Sequence, residues 1–197
     1  MLLKRHIYIL SLLLLQVIPF TIYCQNLDSL KAISKQENDD SLIITAELEL
    51  IDLKKESGDK KGLSFAYHSV AQLYYKKKDY ETAVEYFMLS LIVCRENQDD
   101  IGIAYCYQNL ADAHKNLKHY AEGIRYYSDA IDVYTDLEYK NEMADCYINI
   151  SVIYEIKKSI SQAISYTRNA QNIYTYLRNK EKVAACIERI KMLKTKR

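Results

Sequence analysis

AYCYQNLADAHKNLKHYAEGIRYYSDAIDVYTDLEYK, from Ala104 to Lys140, decides the fold, because the chain on either side repeats its pattern at a shift of forty residues. Tyr67, Tyr107 and Tyr147 fall in register, as do Ala71, Ala111 and Ser151. The same shift aligns Tyr74, His114 and Tyr154, then Ala83, Gly123 and Ala163, then Ser90, Ala130 and Ala170. Self-similarity at a fixed period of this size marks an array of units, each too small to bury its own apolar face and each covered by the next.

Composition narrows the array to helices. The 197 residues are 49% apolar and 27% charged, as in an ordinary globular chain. The lone proline is Pro19, so the helix breaker is missing downstream, and four glycines are too few for a turn-rich β protein. With 27 basic and 26 acidic side chains there is no broad field to draw in nucleic acid, and none is expected as a partner. Runs such as Lys76 to Lys78 suit solvated helix C-termini, where the helix dipole favours positive charge.

Residues 1 to 24 read as a secretory leader: Lys4 and Arg5, an apolar core from Ile7 to about Val17, Pro19, and a short exit ending at Cys24. Cleavage is expected between Cys24 and Gln25. An uncleaved membrane anchor and an acylated Cys24 are the competing readings, the second disfavoured by Tyr23 in front of the cysteine. After cleavage no membrane insertion is expected, and the mature domain, 25–197, is placed in the periplasm or envelope.

Within that domain a partial unit covers 27–60. It holds a short amphipathic piece from Leu27 to Lys35 and a helix from Ser41 to Ser57, with a stripe of Leu42, Ile43, Ala46, Leu50 and Leu53 ended by Gly58. Full units occupy 61–100, 101–140 and 141–180, each predicted as two helices around a short polar turn. Asp79 is placed to cap the helix beginning at Tyr80, Ser159 and Gln162 form a capping-box pattern, and Asn141 and Asn179 offer caps between units. A closing helix within 181–197 should turn Val183, Ala184, Ile187, Ile190 and Leu193 inward.

Each unit resembles a tetratricopeptide repeat, over roughly residues 40 to 193. The small residues of the motif are Ala71, Ala111 or Ser151 in the first helix and Ala83, Gly123 or Ala163 in the second, where two helices cross too closely for larger side chains. The aromatic four positions on is Phe87 or Tyr127, with Thr167 a departure, and the next small residue is Ser90, Ala130 or Ala170. The period of forty without a closing proline is similar to long-repeat variants of the family. The resemblance implies an all-α, right-handed superhelical solenoid of antiparallel helix pairs with a C-terminal capping helix. Most of the nineteen tyrosines recur at its core positions, where the ring fills the inter-helix layer and the hydroxyl reaches the rim.

Motifs for chemistry are lacking. Cys106, Cys146 and Cys186 recur every forty residues, but neighbouring repeats lie about 10 Å apart, beyond the Cα separation of about 7 Å that a disulfide tolerates. These and Cys94 read as small buried side chains. No histidine has metal-ligand spacing, no nucleophile is paired with a base, and no glycine-rich phosphate loop occurs, so neither catalysis, cofactor nor metal is expected.

What the resemblance implies instead is a concave groove lined by the first helix of each unit. Its candidate residues are Phe65, His68, Gln72 and Tyr75, then Tyr105, Gln108, Asn109 and Asp112, then Asp145, Asn149 and Val152. Asn109 and Asn149 match a position that, in relatives, bonds the main chain of an extended peptide; bonding within the stack is the other reading. The lysine and asparagine set that clamps a C-terminal carboxylate in some relatives is missing. An exported scaffold for a protein or peptide partner is therefore expected, with self-association open. The alternative is the ligand-sensing region of a signalling regulator. Determining the N-terminus of the mature protein tests the leader: Gln25 is expected first, and an intact Met1 would exclude cleavage.

Overall fold

The computed structural model describes residues 40–196, so the expected leader and the piece from Leu27 to Lys35 lie outside the described residues. Eight helices run through the described part: α1 (Asp40–Ser57), α2 (Lys60–Lys76), α3 (Tyr80–Glu96), α4 (Asp100–Asn116), α5 (Tyr120–Asp136), α6 (Lys140–Ile156), α7 (Ile160–Tyr176) and α8 (Lys180–Thr195). None of them is long and apolar enough to cross a membrane. The chain divides into two compact units, the first ending at Leu53 within α1 and the second, from Lys54 onward, holding α2 to α8. In the second unit a helix begins every twenty residues, so one repeat of forty is one helix pair. Each of these helices packs on the next, and linkers this short leave only the antiparallel arrangement.

The twenty-residue beat comes from one turn used repeatedly. After α2, Lys77 ends the helix, Lys78 turns left-handed at φ 64°, and Asp79 starts the next helix. The Asp79 amide donates back to the Tyr74 carbonyl and the Lys78 amide to Tyr75, so the last carbonyls of α2 are used within three residues. The same left-handed position is taken by Gly58, Gln98, Lys118, Glu138, Lys158 and Arg178. Of these positions only Gly58 lacks a side chain, although the conformation favours glycine.

Asp59, Asp79, Asp99 and Asn179 then accept the amide three residues on, as N-caps do. Two expectations need correcting. Ser159 makes no side-chain cap bond: at ψ 66°, against 77° to 85° where Asp or Asn caps, its shorter hydroxyl does not reach the amide. Asn141 lies inside α6, and the cap position belongs to Tyr139, which stacks on Tyr134 instead.

Inside each pair the predicted small residues meet. Ala71 and Ala83, then Ser151 and Ala163, have no exposed surface, and a Cβ on Gly123 would lie 3.3 Å from both the Ala111 carbonyl oxygen and Ile153 Cδ1. The glycine, about 1 kcal/mol worse than alanine in a helix, therefore sits where backbone meets backbone. Thr167, the departure from the aromatic pattern, is buried; it donates to the Ala163 carbonyl at 2.9 Å and accepts from Ser151 at 2.8 Å, so a short hydroxyl chain is satisfied where a ring packs elsewhere.

The tyrosines build a second layer. Tyr74 stacks on Tyr86, His114 on Tyr126 and Tyr154 on Tyr166, with ring centres 5.3 to 5.7 Å apart, and Tyr67, Tyr107 and Tyr147 complete the three sets. Arg125 lies 4.0 Å over the Tyr126 ring, a cation–π contact that keeps the charge in water while covering the stack. All four described cysteines are buried and free.

The helices at either end differ from expectation in their inward faces. In α1 the buried positions are Ile44, Ala46, Glu47 and Ile51; of the expected stripe Ala46 is buried, while Ile43, Leu50 and Leu53 are only half-buried. In α8 Cys186, Ile190 and Leu193 are buried, while Ala184 and Ile187 face solvent. Cys186 keeps the buried register of Cys106 and Cys146, and a face centred on it turns Ala184 and Ile187 outward.

The turn geometry gives a direct test. Gln98→Gly and Glu138→Gly should each raise the unfolding free energy by about 0.5 kcal/mol, since a left-handed penalty of about 1–2 kcal/mol outweighs the added unfolded-state freedom of about 0.4–1 kcal/mol. Gly58→Ala, which meets no steric contact, should lower it by about 1 kcal/mol. Urea denaturation of the three variants measures this, and a loss of stability in both glycine variants would contradict it.

Candidate functional site

The first helices of the repeats, α2, α4 and α6, carry every residue predicted for the groove, and α8 extends the same row. Ion pairs and amides bind the row into a ladder. Gln72 Nε2 donates to Asn109 Oδ1 at 2.8 Å and Asn116 donates to the Tyr75 hydroxyl at 2.8 Å, joining α2 to α4. Lys115 Nζ donates to Asn149 Oδ1 at 2.9 Å, joining α4 to α6. Lys182 reaches both carboxylate oxygens of Asp145, and Arg189 reaches Glu155 at 2.8 Å, joining α6 to α8.

Asn109 and Asn149 are thus rungs of the stack. Asn109 also donates to the Tyr105 carbonyl one helical turn back, at 2.8 Å. A peptide bonding to either side chain would share or displace these partners. His68, Gln72 and Asn109 are brought together, with Gln72 Nε2 3.5 Å from the His68 ring nitrogen. Val152 is half-buried and takes no part in the polar ladder.

Second-helix tyrosines support the ladder from beneath. The buried Tyr127 ring sends its hydroxyl to Asp112 at 2.5 Å, and Lys115 bridges the two, 2.6 Å from Asp112 and 3.0 Å from the hydroxyl. Tyr134 donates to Gln108 at 2.8 Å, and Tyr174 donates to Asp145. Burial first, and the neighbouring Asp112 charge second, push the Tyr127 phenol well above its ordinary range; burial leads for Tyr134 and Tyr174 as well. These hydroxyls therefore stay protonated donors and hold Gln108, Asp112 and Asp145 in place.

Between the rungs the face is apolar and open. Phe65 is 71% exposed and Tyr105, one repeat later, 41% exposed. Tyr75 is half-buried edge-on against Tyr80 at 5.2 Å. Among the described residues no cluster of histidine, cysteine or carboxylate side chains has the grouping needed for a metal ion. The sequence reading missed the ladder's cations, Lys182 and Arg189, and the pairing of Cys106 with Ser90, 3.3 Å apart, because each joins residues from different helices. A near-forty-residue offset between opposite charges, such as Asp145 and Lys182, was the available signal for the former.

Glu155 shows how the ladder responds to acid. The hydrogen bond from Lys196, reinforced by Arg189, holds its carboxyl below the ordinary range. A depressed carboxylate stabilises the fold above its unfolded pKa of about 4.3 and loses that contribution as pH falls through the folded value. Glu155→Gln should accordingly lower the melting temperature at pH 7 and pH 5, and the difference from the parent should close as pH falls below about 4. An equal difference at pH 3 and pH 7 would exclude the ion pairs as its source.

The sequence model of the tetratricopeptide repeat family matches residues 62–136. No curated protein sequence matches the chain significantly. Among solved structures, the apo form of RapI is similar with a TM-score of 0.73 at 16% identity, covering 91% of this chain and 65% of RapI. A signal-transduction ATPase with numerous domains and a tetratricopeptide repeat sensor, from Pyrococcus horikoshii, gives 0.72 at 16% identity, covering 87% of this chain and 27% of that one. BtubC from P. vanneervenii gives 0.55 at 18% identity, covering 89% of each. At these identities the likeness is one of fold, and it agrees with the repeat register, the close crossings and the paired helices: over residues 62–136 the chain matches the tetratricopeptide repeat, and the described helices pair as in solenoids of that kind.

Proposed function

We propose that this protein is an exported, non-catalytic scaffold that holds a peptide or protein segment along the face formed by α2, α4 and α6. The observation that carries the reading is the pair Phe65 and Tyr105, large rings exposed side by side in register on a face whose polar groups are tied down by the ladder. Exposed aromatic anchors over a rigid base are what a partner can bury with little ordering cost. Gln108, whose oxygen accepts from Tyr134, offers its amide nitrogen to a partner's main chain. Export rests on the leader pattern of residues 1 to 24, and places the scaffold in the periplasm or envelope.

A sensing role is the second reading, favoured by the fold shared with a tetratricopeptide repeat sensor. The same face would then report its occupancy to a signalling partner. Both readings place the ligand on the first helices. A photo-crosslinking amino acid at Phe65 or Tyr105 should capture a discrete partner in cells, while one at Leu89 or Ile92, exposed on α3, should not. Equal capture from both faces, or none from the first, would contradict the groove.

A further inference from the structure

In the second and third repeats a tyrosine from the second helix closes the layer between neighbouring first helices: Tyr134 in α5 and Tyr174 in α7, both buried. The residue in register with them in α3 is Cys94. Its sulfur is drawn toward the start of α4, where a Cβ on Gly102 would come within 2.7 Å of it. The space a ring would occupy stays open, as a cavity of about 220 Å³ between α2, α3 and α4.

The wall of that cavity is the tyrosine's wall shifted by one repeat. Tyr134 packs edge-on against Tyr105 at 6.1 Å, stacks on Tyr139 at 6.3 Å, and donates its hydroxyl to Gln108. One repeat earlier these neighbours are Phe65, Asp99 and His68, and all three line the cavity. Cys106 lines it too, in register with Cys146 of the Tyr134 core. An apolar cavity of about 150 Å³ is enough to bind benzene, so a phenol fits here. The exposed rings of Phe65 and Tyr105 also line it, which opens it to the face where the partner is read to lie.

We infer that this slot receives a tyrosine side chain from the bound segment, its ring standing where Cys94 supplies none and its hydroxyl hydrogen-bonded to the His68 ring. The inference rests on the groove reading and adds to it the chemistry of one partner residue. His68 stands where Gln108 stands for Tyr134: burial disfavours its charged form, a neutral ring keeps one nitrogen that donates and one that accepts, and edge-on packing against Phe87 at 5.3 Å holds the ring.

The probes are p-cresol, toluene and N-acetyl-L-tyrosinamide, titrated into the full chain and followed by protein NMR. Saturable shifts confined to the cavity lining are expected with p-cresol and with N-acetyl-L-tyrosinamide. Cys94→Tyr, which fills the slot from within, should weaken both at least tenfold. His68→Leu should lower the affinity for p-cresol relative to toluene at least threefold, and it carries the test if Cys94→Tyr does not fold. The absence of saturable shifts in the parent, or unchanged binding in folded Cys94→Tyr, overturns the slot. Crosslinking from Tyr105 separates this from the wider reading: a partner captured equally well by the parent and by Cys94→Tyr overturns the slot and leaves the groove standing, whereas competition of that crosslink by p-cresol supports both.

Discussion

The repeats depend on how closely two helices cross within each pair. At Ala111 and Gly123 the second helix lies against the backbone of the first, with a carbonyl oxygen 3.3 Å from where a side chain would begin. That approach brings rings such as Tyr127 and Tyr134 far enough across the pair for their hydroxyls to reach the first-helix face. A larger residue at the crossing would separate the helices, and the hydroxyls would fall short of Asp112 and Gln108. The hydrogen bonds on the candidate binding face are in this sense a consequence of small residues at the crossing.

The turns impose the second constraint. A left-handed residue after every helix from α1 to α7, with the following residue at the next N-cap position, leaves no slack between elements. The pairs are consequently repeated with the same spacing, and side chains thirty-four to forty-one residues apart meet as rungs, as in Lys115 with Asn149 and Tyr75 with Asn116. A face assembled this way is stiff before any partner arrives, which lowers the ordering cost of binding.

The repeats are nevertheless unequal. The third replaces the core aromatic with Thr167 and seals the gap by a hydroxyl pair, so its core remains closed. The first replaces the closing tyrosine with Cys94, and the cavity beside it stays open. The same scaffold thus holds one departure that its neighbours compensate and one that they do not. The uncompensated one lies beside the most exposed ring of the first-helix face, Phe65.

Much of the fold was legible because its determinants are local or periodic. The forty-residue register, the small residues at Ala71, Ala83, Ala111 and Gly123, and caps such as Asp79 are properties of single positions and their spacing. The turns were half legible: polar breaks showed where they fall, but left-handed Lys78, Gln98 and Glu138 carry no glycine signal, since the backbone hydrogen bonds that close each turn between two packed helices enforce a conformation their own preference opposes. The candidate face divides in the same way. Its residues could be named from the repeat, yet whether Asn109 points to solvent or to Gln72, and whether Asp145 stands alone or between Tyr174 and Lys182, depends on atoms brought together from separate helices. The sequence by itself determined the array, its period and the points of closest packing, because these follow from side-chain size and hydrophobic spacing. Only the tertiary structure decided the ladder and the empty slot at Cys94, because both are made by neighbours about one repeat apart, and a missing ring becomes a cavity only where nothing else reaches in to fill it.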